Sequence, residues 1–507
     1  KEETVREVGA DMIYTLGGGF NNNGEKIELV KPNGEKGDEV DNTGGWFAGD
    51  KIKYRSMERL DTNKSGNDKN NWQSNRGPRA IARSYNGGEV YGSPKQSNFG
   101  FIVLSGRQEE GARSLSKENN PYVLKSYEVP VGFNLNIEAG VIIKSFNSTA
   151  KMEIYGDLKA TGSENESVIF TSGRDESAAA KDWQGLWFHG GSKGELKNTA
   201  INFAGGKFRV NNFIYTPFIS QAIRAENASL FFDGVTIKDS GDVFVHLQAV
   251  SSTIINSNFS GGDRAIEAVG GSLAVENSGL AHFSNPFGPI YVKGVWPKFN
   301  QLVFEANQVN MPYIESVALT ENVEISKELP LYLGGSITIA SSSRFKINPG
   351  AKLFLANVAT VDVLGSLIAA GTEAEPITIS ALNDKWGNIN FNGSTSTLRY
   401  VNISGGNHLD VMPPERDGMI LSNNSKLIFD HCSLLNNRAP GNTVQVKNSD
   451  VTILNSTIGH SEKPSFKTVG VMAQNGMLTL RNTYFKNLDF GIYNLSYPIM
   501  AGLDAEG

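Results

Sequence analysis

Residues 156–162 read Gly156-Asp157-Leu158-Lys159-Ala160-Thr161-Gly162, and residues 365–371 read Gly365-Ser366-Leu367-Ile368-Ala369-Ala370-Gly371. An alternating Leu and Ala held between two glycines is the pattern of a short strand with one buried face that runs into a tight corner. The recurrence extends well past seven residues. Around the first copy stand Ile137, Gly140, Ile169, Ser172, Trp183, Phe188, Leu196, Ile201, Gly205 and Gly206; Ile347, Gly350, Ile377, Ser380, Trp386, Phe391, Leu398, Ile403, Gly405 and Gly406 follow in the same order around the second. The offset drifts from 210 at Ile137 to 200 at Gly205, so loops shorten while the order holds. Such self-similarity predicts a duplicated structure inside a solenoid, where each repeat buries its face on its neighbours.

A shorter rhythm runs inside the long one. Apolar alternation followed by an Asn or Asp corner appears at Leu230, Phe232, Asp233, Val235, Ile237 and at Ile255, Asn256, Ser257, Phe259. It returns at Phe429, Asp430, Cys432, Leu434; at Ile453, Asn455, Ser456, Ile458; and at Leu480, Asn482, Thr483, Phe485. The steps from Phe232 to Ile255 and from Phe429 to Ile453 are 23 and 24 residues, one coil of a parallel β-helix. Inward residues then stack on like residues of adjacent coils. A corner Asn tolerates a left-handed backbone and offers its amide to the Asn one coil away. At about 23 residues per coil and about 4.8 Å between strands, residues 121–507 predict about 16 coils and a rod of about 80 Å.

Texture divides the chain. Residues 1–107 carry short strands between Gly-, Asn-, Asp- and Lys-rich loops, and 108–120 read as a charged linker. The first cassette occupies 121–330 and the second 331–507, continuing the same helix. The stretch from Asn285 to Leu333 holds Pro286, Pro289, Pro297, Pro312 and Pro330, which reads as irregular coils or as a junction.

Composition supports an all-β chain: 55 glycines among 507 residues and no long run of helical apolar spacing. A net charge of −6 gives no electrostatic footprint for nucleic acid. No 18-residue apolar run offers a membrane span. The single Cys432 reads as a small buried residue of a coil, since no second thiol is present for a disulfide. Lys1, Glu2 and Glu3 open the chain without an apolar signal segment, as in a mature or trimmed chain or a cytosolic one.

The cassettes resemble the right-handed parallel β-helix repeats of bacterial secreted and cell-surface proteins. Ala139-Gly140 and Pro349-Gly350 supply the end of the first strand, Pro376-Ile377-Thr378 the third element, and Trp183, Gly185, Leu186 and Phe188 the last. The second copy departs there, with Trp386, Gly387, Asn388 and Ile389. That repeat carries adhesins, carbohydrate-active enzymes and structural proteins alike, so the resemblance implies fold rather than activity. The N-terminal region resembles a lamin-tail domain, a small immunoglobulin-like β-sandwich. The residues that carry this are Gly24 to Leu29, Pro32, Asn33, Gly34, Trp46, Ser56 to Asp61, Asn63, Gly66, Asn67, Asp68, Trp72, Gly92 and Pro94. The resemblance implies surface attachment and interaction. Fold class is therefore expected to be all-β: a small sandwich, then a long right-handed parallel β-helix.

Candidate sites are few. Trp187 falls between the inward pair Leu186 and Phe188, so strand alternation turns it outward, and Asn390 replaces it in the second copy. With Trp46 and Trp72 it is a candidate for ligand binding, whereas Trp183 and Trp386 recur in both copies and read as core. Asp61, Asn63 and Asp68 have the alternating oxygens of a calcium loop, but Trp72 stands where an EF-hand places its glutamate, and an Asx-rich turn accounts for the same residues. Asp239, Asp242, Asp263 with Arg264, and Asp410 with Glu415, Arg416 and Asp417 are charged, but they lie where turns are expected. The six histidines show no metal spacing.

The reading is a non-enzymatic extracellular or cell-surface protein, structural or adhesive, that binds a surface protein or a polysaccharide, with no cofactor unless calcium fills the N-terminal loop. Its alternatives are a polysaccharide lyase or glycoside hydrolase on a β-helix scaffold, and a subunit of a larger bacterial surface assembly.

Overall fold

The structure is a computed structural model that describes residues 21, 23–52, 54–60, 64–75, 82–83, 89–92, 102–174, 178–208, 219–383, 385–407 and 418–495. Among them the regular structure is strand, with two short 3-10 turns at Lys69–Asn71 and Lys117–Asn119 and no α-helix. The protein is all-β and its bulk is a long parallel β-solenoid. The chain divides into two compact units: Lys1–Trp187 with Glu195–Ala222 and Asp239–Gly241, and Phe188–Gly194 with Ile223–Lys238 and Asp242–Gly507.

In the first unit, Lys26–Val30 pairs antiparallel with Lys36–Asp41, Met57–Arg59 with Trp72–Ser74, and Ala82–Arg83 with Glu89–Val90. Parallel coils follow. Ala112–Leu115, Asn134–Ile137 and Asp157–Thr161 stack in register, so Leu115, Ile137 and Ala160 form one buried rung set. Tyr122–Val129 turns a corner: its first half pairs with Ile142–Ser145 and its second with Lys151–Ile154.

The second unit repeats that arrangement down to individual bonds. Leu331–Ile339 pairs first with Lys352–Leu355 and then with Thr360–Val363. Lys117 bridges to Glu166 as Lys327 does to Glu375. The Gly140 and Gly350 N–H groups donate to the carbonyls of Glu166 and Glu375, and the Trp183 and Trp386 indoles donate to those of Asn202 and Ser404. Both indoles are fully buried, so these tryptophans are scaffold. Gly156 and Gly365 are required because a Cβ there would lie within 2.3 Å of two main-chain carbonyl oxygens in each copy.

The core of the second unit is a set of register-matched ladders. One runs Ile347, Ala369, Leu398, Phe429, Ile453, Leu480, all buried, on successive paired strands. Corners carry the predicted Asn stacks. Asn448, Asn455, Asn475 and Asn482 are left-handed, and the amides of Asn475 and Asn482 donate to Asn448 and Asn455 at 3.1 and 3.0 Å. Serines add an inner stack: Ser394 N–H donates to Ser425 Oγ and Ser425 N–H to Ser449 Oγ, each at 3.0 Å. Cys432 sits in such a stack, buried, its N–H on Ser456 Oγ and its thiol on the Leu398 carbonyl.

One ladder of this unit carries the candidate site: β1 (Val243–Gln248), β2 (Arg264–Val269), β3 (Ile290–Lys293), β4 (Tyr313–Leu319) and β5 (Leu331–Ile339), each parallel to the next. It continues without a break into Lys352–Leu355. The proline-rich stretch supplies β3 and β4 to this ladder and ends another: Lys298–Asn300 pairs with Ser272–Glu276 and is the last strand of its ladder.

Candidate functional site

Register places His246, Glu267, Tyr291, Tyr313 and Tyr332 directly opposite one another on β1 to β5. Their neighbours Leu247, Ala268, Val292, Ile314 and Leu333 are buried in the core, so alternation turns the five to the other face of the sheet, where His246, Glu267 and Tyr291 are half-buried and Tyr313 and Tyr332 are buried beneath neighbouring rings. The spacing along a ladder, about 4.8 Å, is close to the stacking distance of aromatic rings. Tyr291 and Tyr313 stack with centroids 5.6 Å apart, and Tyr313 and Tyr332 meet at a tilt of 51° with centroids 4.8 Å apart.

Phe287, from the loop before β3, lies over both of the last two at 5.0 and 6.3 Å, and is itself 42% exposed. A built turn holds it there. The Asn285 side chain accepts from the Phe287 N–H at 3.0 Å and donates to the Asp263 carboxylate at 2.7 Å. Gly288 completes the turn at φ +93°, where a Cβ would lie 2.2 Å from the Met311 carbonyl oxygen. Gly334 clears space for Tyr313, since a Cβ there would lie 1.9 Å from the Tyr313 hydroxyl.

Charged groups frame the rings. Arg264 lies over the Tyr291 ring at 4.8 Å and contacts Glu267 at 2.5 Å; His246 Nδ1 is 3.3 Å from the other Glu267 oxygen. The Tyr291 hydroxyl donates to Glu315, and Lys293 lies 3.7 Å from that carboxylate. The His246 imidazole, and after it the Arg264 guanidinium, hold the Glu267 carboxyl below the usual range against the opposing effect of burial. Burial and then the Glu315 charge push Tyr313 up to about 12. Burial and the bond to Glu315 raise Tyr291 as well. At neutral pH the phenols are therefore neutral donors and Glu267 an ionised acceptor. Phe287 and the half-buried Tyr291, backed by the buried Tyr313 and Tyr332 and edged by fixed donors and acceptors, suit a sugar ring, whose faces are apolar and whose rim is hydroxyl.

Trp187, Trp46, Trp72 and Asp68, singled out from sequence, belong to the first unit and not to this ladder. Trp187 is half-buried between the fully buried Leu186 and Phe188. The Trp46 indole donates to the Asn21 carbonyl at 3.1 Å, and that of Trp72 to the Gly66 carbonyl at 2.7 Å with Arg59 over its ring. Asp61 and Asn63 lie outside the described residues. Asp68 caps the Lys69–Asn71 turn by accepting from the Asn70 N–H. Among the described residues no group of three His, Cys, Asp or Glu side chains is placed to hold a metal. Asp239 occupies a left-handed corner, as expected of a turn residue. Asp410, Glu415, Arg416, Asp417 and His408 lie outside the described residues. Of the charged candidates among the described residues, Asp263 and Arg264 belong to the site. Positions 246, 267, 291, 313 and 332 fall 21, 24, 22 and 19 residues apart, steps too uneven to be matched by counting one coil length, although three of the five are tyrosines.

The fold and this face define a parallel β-solenoid with an aromatic, charged flank. No family model matches the chain, and no curated protein matches it. Among solved structures it is similar to a double-mutant tailspike protein of E. coli bacteriophage HK620, at 11% identity and a TM-score of 0.20, with 71% of this chain and 72% of that one covered. So low a similarity transfers neither activity nor ligand to this protein.

Proposed function

We propose that this protein is a non-enzymatic extracellular or cell-surface component that binds a polysaccharide on the flank formed by β1 to β5. The observation that carries this reading is Phe287, exposed and held against Tyr313 and Tyr332, next to Tyr291 with Arg264 over its ring and Glu315 on its hydroxyl. The lamin-tail resemblance of residues 10–100 supports a role for the N-terminal region in attachment to a surface or a larger assembly. Binding of the full chain to immobilised glycans tests the proposal. Phe287→Ala and Tyr291→Ala are expected to lose binding while the far-ultraviolet spectrum is unchanged. Binding that survives both substitutions would place the ligand elsewhere.

A second reading as a lyase or hydrolase draws on the same face, because Glu267 and Glu315 flank Tyr291. Against it, Glu267 is held ionised by His246 and Arg264, which suits it poorly to act as a general acid near neutral pH. Incubation with a bound polysaccharide is expected to release no reducing ends and no unsaturated sugar. Product formation abolished by Glu315→Gln would establish the enzyme instead.

A further inference from the structure

Where the ladder of Lys298–Asn300 ends, a cavity of about 770 Å³ opens between that strand and the coil that follows. This lies within the roughly 300–1,000 Å³ common for ligand sites. Trp296, Phe299 and Ile314 line one part, Leu319, Val323 and Ile325 another. Trp296 meets Phe345 edge-on at 5.6 Å, which props the cavity from within the core.

The main chain of the walls is the informative part. Successive residues of a strand direct their N–H and C=O groups to opposite edges. The Asn300 carbonyl accepts from Asn277, toward the preceding coil, so Phe299 directs its pair toward the cavity. The Leu319 carbonyl accepts from Ala340 and the Ile325 carbonyl from Asn348, both toward the following coil, so Ala318 and Glu324 direct theirs the other way, toward the gap. All three residues line the cavity, and no ladder among the described residues joins Lys298–Asn300 to 317–325. Meanwhile the β3–β4–β5 ladder stays closed beside it. Two opposed strand edges therefore face one space that has an apolar floor.

We infer that this gap is a binding site for an extended peptide, which enters as an added strand. The occupant is fixed by the walls: an apolar small molecule would fill the floor but leave the main-chain donors and acceptors of Phe299, Ala318 and Glu324 without partners, at a cost a strand avoids. The peptide residue opposite Phe299 shares its inward direction and is apolar; its neighbours point out and are polar. Neither feature depends on the polysaccharide face.

The probe is the acetylated peptide Asp-Val-Thr-Ile-Leu-Asn-Ser, which copies the coil strand at 450–456, added to the full chain and read by amide hydrogen exchange. Without peptide, the amides of Phe299, Ala318 and Glu324 are expected to exchange faster than those of Val275 and Leu280 on the closed ladders; with peptide they slow. Ala318→Pro removes a donor on the gap side only, an edge position where proline is tolerated, and is expected to abolish the slowing while the circular dichroism spectrum is retained. Amides already protected in the free protein, or unchanged by peptide, overturn the inference. Tight binding of laurate that quenches Trp296 fluorescence without protecting those amides also overturns it, in favour of an acyl pocket. Protection that rises with protein concentration in the absence of peptide would identify a strand from a second copy as the occupant.

Discussion

At the corners of the coils the backbone chooses the residue. A left-handed conformation costs an ordinary L-residue about 1–2 kcal/mol, which Asn offsets through its short amide. Asn455 is left-handed, accepts from Asn482 and donates to Asp430 at 3.0 Å, so its side chain links three coils. Asn455→Gly keeps the backbone and removes only the ladder bonds, whereas Asn455→Ala loses both. Urea denaturation is expected to show the alanine variant less stable than the glycine variant by about 1 kcal/mol. Cys432 makes a second residue-scale test. Burial pushes its thiol up to about 12, so thiol reagents at pH 8 are expected to label it only as the protein unfolds. Glu267 supplies a pH dependence. Its folded value is depressed below the ordinary 4.5, so its contribution is fully present above that pH and is lost as pH falls through the folded value. Glu267→Gln is expected to flatten the acid limb of a stability profile measured from pH 7 to pH 3.

Elements set how those residues meet. Alternation on a strand was legible from the sequence, and it assigned Leu186 and Phe188 correctly to the interior. What alternation does not supply is which strand lies over which, and the site is made of that. Tyr291, Tyr313 and Tyr332 are each unremarkable tyrosines on short strands, and they become one stack only because β3, β4 and β5 pair in that register. Coil length varies by several residues through this stretch, so counting alone leaves the register open. Gly334 tests the point. Gly334→Ala puts a methyl 1.9 Å from the Tyr313 hydroxyl and within 2.6 Å of its ring, so the buried ring has to move against Tyr291, Tyr332 and Phe287. Glycan binding is expected to fall about tenfold, a cost of about 1.4 kcal/mol, together with a drop in melting temperature as the core ring is displaced. A large drop in melting temperature with binding retained would show the glycine to be structural alone.

On the scale of the molecule, a solenoid is stabilised coil by coil through nearest-neighbour interfaces. Within the second unit most coils are joined on several faces, but past Lys298–Asn300 the β3–β4–β5 ladder is the continuous one. That weak coupling predicts two cooperative steps. Hydrogen exchange with increasing urea is expected to release 243–305 and 331–495 at different midpoints, and Trp296→Ala, which removes the prop against Phe345, to widen their separation. A single common midpoint in both proteins would show the coils to unfold as one.

The repeat is legible in the chain: inward apolar rungs, corner asparagines, glycines where a carbonyl leaves no room, and paired tryptophans that a duplicated coil demands. These are local requirements, set by alternation and by backbone sterics, and they are written at each position. Which outward residues share a flank, and where a ladder stops, emerges with the folded coils. Those follow from strand register and from the closure of each coil on the next, which couple residues some 20 apart in sequence through hydrogen bonds that no single segment encodes.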